Sequence, residues 1–128
     1  PPGAGVAFAA EAGIAFILMT IVLHVSRAVR FARYTGLAVG VAVALFITFE
    51  DPLSGMSLNP ARSLGPAILA GRADTLWIYF AAPPLGMLLA AELFARAVGA
   101  HRLPCAKLHH PAHGPCIFEC HGRHLAQE

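Results

Sequence analysis

The apolar positions of this chain fall in long unbroken runs, not in the alternating or three-to-four spacing of an element with one wet face. The first run covers about residues 5–25 and is interrupted by a single charge, Glu11. At about 1.5 Å per residue, that length crosses a hydrocarbon core of about 30 Å. No basic segment precedes it and no small-residue cleavage site ends it, so it predicts a membrane span and not a signal peptide. A second run, about residues 35–50, is short for a span and rich in small side chains. Gly36 and Gly40 form a G-x-x-x-G pair that lets a neighbouring helix approach closely. Its ends must lie near the interfaces, or it must extend into the Glu50–Asp51 pair. A third run, about residues 76–98, is again long enough to span. Trp77 and Tyr79 suit an interface belt there, and Pro83 and Pro84 should kink or loosen its first half.

The segment 52–70 breaks this pattern. Pro52, Pro60, Pro66, Gly55 and Gly65 sit amid apolar residues, so it cannot be one continuous spanning helix. From Asn59 it reads as a helix start, with asparagine as N-cap, proline at the first helical position and a short apolar run after it. A loop followed by a half-length helix is a re-entrant pattern, tolerated at membrane depth only where protein or a water-filled cavity satisfies the backbone. The expected fold class is therefore an all-α membrane protein with three transmembrane helices and one re-entrant half-helix.

Composition agrees with this reading. Hydrophobic residues make up 57% and charged residues 12%, against about 25% charged in soluble proteins. A net charge of +2 gives no basis for nucleic-acid binding. Arg27, Arg30 and Arg33 follow the first span, and Arg96, Arg102 and Lys107 follow the third. Glu50, Asp51 and Asp74, with only Arg62 and Arg72, lie on the opposite side. The positive-inside rule then makes the loop 26–34 and the C-terminal tail cytoplasmic and brings the re-entrant segment in from outside. His24 falls at the cytoplasmic end of the first span, as an interface residue. An exported N-terminus without basic residues points to sequence missing upstream.

The stretch Ser54-Gly55-Met56-Ser57-Leu58-Asn59-Pro60-Ala61-Arg62-Ser63-Leu64-Gly65-Pro66-Ala67 resembles the second asparagine-proline-alanine loop of the aquaporins, the major intrinsic protein family. It follows a small-residue span and precedes one carrying Trp77, Tyr79, Pro83 and Gly86, and that combination is specific. The resemblance covers about residues 7–98 and implies the fourth to sixth spans plus the second half-helix of a fold built from two inverted repeats. It implies a C-terminal half, with one such motif where the family has two. Residues 1–98 are then the half-channel (spans about 5–25, 35–50 and 76–98, re-entrant segment about 52–70), and residues 99–128 a cytoplasmic Cys/His-rich tail.

The motif's chemistry is also readable directly. A helix starting at Asn59 aims unpaired N–H groups and its positive dipole end at the midplane. Asn59 can cap those groups with its side-chain oxygen and keep its amide N–H free for a solute oxygen. Pro60 loses nothing at the first helical position, and Ala61 is small enough for another helix tip to meet it. The field disfavours cations and interrupts proton hopping. The bland alternative is a buried, kinked loop with an ordinary asparagine cap.

Arg62 is costly at membrane depth unless it faces a cavity or partner, and the resemblance implies a place in the outer constriction. The alternative is a side chain snorkelling to the outer headgroups. Ile47, twelve residues before Asn59, stands where water-selective members carry histidine, and Met56 where a small side chain or cysteine is common. Both are expected to line the filter, with ordinary packing as the alternative. Their apolar lining points to water with small uncharged, glycerol-like solutes. Glu11 matches the embedded glutamate that supports the re-entrant loop in this family. A lone buried carboxyl must be protonated or satisfied by donors, and the other reading is a proton relay.

The tail holds Cys105, Cys116, Cys120 and six of the seven histidines. Cys105, His109, Cys116, Cys120 and His124 have metal-ligand spacings but no C-x(2)-C pair, so no metal site is expected and these five are candidates only. A cytoplasmic tail argues against structural disulfides. No triad, phosphate loop or paired-carboxylate arrangement suggests an enzyme, and no cofactor is expected. The sequence reading is a passive channel for water and small neutral solutes in the plasma (bacterial inner) membrane, present as its second half. It needs a first-repeat half to complete a pore, and the resemblance implies a homo-tetramer. The competing readings are a membrane scaffold with a metal-binding tail and a nonfunctional channel fragment.

Overall fold

A computed structural model describes residues 3–28, 30–71 and 74–99, and every regular element among them is helical. The cysteines and the candidate metal ligands of the tail lie outside the described residues. Five helices follow in order: α1 (Ala4–Arg27), α2 (Thr35–Phe49), α3 (Asp51–Ser54), α4 (Pro60–Leu69) and α5 (Leu76–Val98). A 3-10 turn at Ala32–Tyr34 leads into α2. Three stretches are long and apolar enough to cross a membrane: Ala4–Arg27, Ala32–Phe49 and Leu76–Val98. The second reaches spanning length by borrowing the 3-10 turn before it. At its other end Glu50 stops α2, and Pro52 opens the separate single turn of α3.

α1 and α5 run parallel, because each end of one meets the same end of the other. Phe8 and Trp77 form a tilted ring pair 5.7 Å apart near the two starts. His24 and Phe94 meet edge to face at 5.0 Å near the two ends. Between these contacts Gly86 lies on the backbone of Ala12, where any Cβ would overlap the Ala12 carbonyl oxygen. A glycine is what permits this approach, and small residues at helix crossings are how apolar helices associate when lipid is as apolar as they are. Ala15, Ala82 and Ala90 continue this small-residue seam, and Ile78 is the large side chain buried with them.

α5 is continuous through Pro83 and Pro84. Each proline removes one i→i−4 hydrogen bond, yet the helix carries on, with Pro83 buried. α2 is the opposite case: of its fifteen residues only Ala42 is buried, and Leu37, Val41, Leu45 and Phe49 are exposed. α5 ends at Val98, and Gly99 follows it in the left-handed region.

Candidate functional site

The link between α3 and α4 is the most irregular backbone among the described residues. Gly55 has φ +85°, and two non-glycine residues follow it into the left-handed region, Met56 (φ +39°) and Leu58 (φ +52°). Such a conformation costs an L-residue about 1–2 kcal/mol, so the surroundings must hold it. The clamp is Glu11, from the second turn of α1. Its side chain is fully buried. Oε1 accepts from the Ser54 hydroxyl at 2.8 Å and from the Ser57 backbone N–H at 2.7 Å, while Oε2 accepts from the Leu58 N–H at 2.9 Å. A carboxyl in an apolar helix and a loop with orphan N–H groups thereby satisfy each other, and neither could be buried alone without a large desolvation cost.

Hydroxyls complete the brace. Ser54 Oγ also accepts from the Met56 N–H, and Tyr79 on α5 donates its hydroxyl to the Ser54 carbonyl at 2.6 Å. Ser63 donates to the Ser57 hydroxyl at 2.6 Å, which donates in turn to the Asn59 carbonyl at 2.7 Å. Side chains from α1 (Glu11), α3 (Ser54), α4 (Ser63) and α5 (Tyr79) thus hold the end of α3 and the loop that follows it. Ser54, Ser57, Ser63 and Tyr79 were not singled out as site residues by sequence reasoning. The available signal was weak: hydroxyls within a segment otherwise too apolar to be wet need partners, but the partners lie on remote elements.

Asn59 is extended (φ −145°, ψ 118°) and caps α4, with its Oδ1 accepting from the Ala61 N–H at 2.9 Å. Among the described residues its side-chain N–H2 donates to nothing, and the residue is exposed. Pro60 occupies the first helical position. The start of α4 therefore presents an unspent amide donor together with the positive end of a ten-residue helix. Arg62, one position after Ala61, is exposed, and its Nη1 approaches the Met56 sulfur at 3.8 Å. Met56 is 1% exposed, packed inside behind that guanidinium. Ile47 lies on α2 with its side chain uncovered. An open recess of about 360 Å³ borders the loop and α4, with Ser57, Arg62, Ser63, Thr75 and Tyr79 in its lining. Among the described residues no group of three or more His, Cys, Asp or Glu could hold a metal ion.

Residues 2–94 match the family model described as "Major intrinsic protein". The chain belongs to that family. With three helices of spanning length and composition, it is an integral membrane protein. It is 44% identical over 100 residues to the glycerol uptake facilitator protein-like 6 of Lactiplantibacillus plantarum, covering 76% of this chain and 46% of that protein. It is 46% identical over 86 residues to aquaporin NIP1-2 of Oryza sativa subsp. japonica, covering 66% of this chain and 28% of that one. Against aquaporin NIP3-1 of Zea mays the identity is 44% over 89 residues, covering 69% and 30%. The chain thus spans less than half the length of these curated relatives.

Proposed function

We propose that this member of the major intrinsic protein family is the second half of a passive channel for water and small uncharged, glycerol-like solutes. Members of the family are channels and not enzymes. The observation that carries the proposal is the start of α4: an asparagine whose oxygen is spent on the cap and whose amide donor is free, at the positive end of a short helix. A water or alcohol oxygen can accept from that amide, while a cation meets the helix dipole. The names of the relatives, an aquaporin and a glycerol uptake facilitator-like protein, support the same solute classes.

In this reading residues 1–98 form the half-channel and 99–128 a cytoplasmic tail. Asn59, Pro60 and Ala61 form one side of the central constriction. Arg62 and Ile47 contribute to the outer filter, and Met56 backs the guanidinium of Arg62. Glu11 holds the loop so that Asn59 stays on station. A first-repeat half is needed for the opposite wall. No residue of α4 is buried, and a short helix with orphan backbone groups at its start is not stable against lipid. Protein or water must cover it. The channel is placed in the plasma (bacterial inner) membrane as a homo-tetramer, with loop 26–34 on the cytoplasmic side.

Vesicles carrying the complete channel are expected to shrink faster than empty ones after an osmotic step and to reswell as glycerol enters. Arg62→Ala should leave water flux standing and admit larger or charged solutes, since it removes a fixed cation at the proposed filter. Shrinkage no faster than that of empty vesicles, with the protein shown to be inserted, rejects the proposal.

A further inference from the structure

Glu50, between α2 and α3, carries a carboxyl that the pore reading does not use. The residue is 7% exposed, and among the described residues both carboxyl oxygens are buried without a hydrogen-bond partner. It sits at the N-cap position of α3 but its side chain does not cap that turn; its backbone is engaged instead, the N–H donating to the Phe46 carbonyl and the carbonyl accepting from the Leu53 and Ser54 N–H groups. The titratable groups that reach it electrostatically are Glu11 on α1, Asp51 at the start of α3 and Tyr79 on α5, and no cation is among them. The nearest hydroxyl, that of Ser54, has a single proton, and that proton is given to Glu11.

We propose that Glu50 is a positioning residue for the re-entrant loop that works in its protonated form and releases the loop when it ionises. A neutral carboxyl can remain buried here, whereas a carboxylate needs donors that the site does not supply. Once ionised, Glu50 either draws the Ser54 hydroxyl from Glu11 or repels Glu11 directly. Both changes loosen the grip on the Ser57 and Leu58 N–H groups, and hence on Met56 and Leu58 in their left-handed conformations. Desolvation by burial raises the Glu50 pKa above its usual value, opposed by the adjoining Ser54 hydroxyl and reinforced by Glu11 and Asp51. The sign follows: the folded protein holds this proton more tightly than the unfolded chain, so the hold is complete at low pH and is lost as pH rises through the raised value. Any effect on permeation rests on the channel reading above; the loop's response does not.

The protein in lipid vesicles, wild type and Glu50→Gln, tests this by infrared spectroscopy and backbone amide exchange. At the acid end of a pH titration the wild type should show the carbonyl stretch of a buried carboxylic acid, which fades at a higher pH than for an exposed glutamate and which Glu50→Gln lacks. Over the same range, exchange at Ser57 and Leu58 in the wild type should outpace that in the glutamine variant by about tenfold or more, the loss of one charge-assisted hydrogen bond. Comparing the two proteins at one pH cancels the intrinsic pH dependence of exchange. An acid band that fades no higher than for an exposed glutamate, a band untouched by Glu50→Gln, or a flat exchange ratio while the band titrates would overturn the proposal. If the variant fails to insert, wild type labelled with carbon-13 glutamate serves: coincident midpoints for band and exchange support the proposal, and exchange without a matching inflection refutes it. Vesicles that never conduct while band and exchange titrate together count against the channel reading and for the role of Glu50.

Discussion

At the scale of single residues, the loop's geometry depends on what Glu11 accepts. Glu11→Gln keeps the shape but replaces one acceptor oxygen with a donor facing either Ser57 and Ser54 or Leu58. That change should cost about 1–3 kcal/mol, the range for leaving a buried group unsatisfied. Reversible unfolding in detergent measures it, and an unchanged midpoint would mean the three bonds to Glu11 carry no net stability. Glu11 was legible in the sequence, because a lone carboxyl in an apolar run must find donors. The donors themselves were not. Ser54 and Ser57 lie 43 and 46 residues away in the chain, and no local spacing announces that pairing. Tyr79 read as an interface aromatic, since its sequence neighbourhood is that of a helix start near the headgroups; its hydroxyl instead ties α5 to the Ser54 carbonyl. Asn59 and Pro60 were legible for a local reason: an N-cap and the first helical position act within one turn.

At the scale of elements, the parallel contact of α1 with α5 turns on Gly86. Gly86→Ala forces the two backbones apart and should destabilise the protein by about 1–3 kcal/mol, as overpacking does. The same substitution at Gly13, where a Cβ meets nothing within 4 Å, should be neutral or mildly stabilising. Equal effects at both positions would show that the α1–α5 approach is not tight. The three long helices were readable from unbroken apolar runs, and the break at 52–70 from its prolines and glycines. Two details escaped. One is the 3-10 turn at Ala32–Tyr34, which lies in a polar arginine-rich stretch that reads as loop. The other is the uninterrupted course of α5 through Pro83 and Pro84. Each proline removes one hydrogen bond, yet the turns on both sides of the pair remain helical.

At the scale of the whole molecule, the described residues make a brace with little to enclose. α1 and α5 bury a seam rich in small residues and Glu11 clamps the loop, while α2 buries only Ala42 and α4 buries no residue. A bilayer can cover the apolar face of α2. It cannot cover the start of α4, where Asn59 and Arg62 are exposed polar groups. That uncovered surface, with alignments that span less than half of each relative's length, supports the proposed reading of one repeat of a two-repeat channel. Sequence alone conveyed the one-motif count but not the uncovered surface, because burial depends on which elements meet in space.

The central claim, that this chain supplies one wall of a pore whose other wall is a first repeat, is tested most directly by water flux. Osmotic shrinkage would be recorded for vesicles holding this chain alone and for vesicles holding it with a first-repeat half, at matched insertion. Fast shrinkage only with both halves present is the predicted result. Background-level shrinkage from the inserted pair, or equal flux from the chain alone in one orientation, would contradict it.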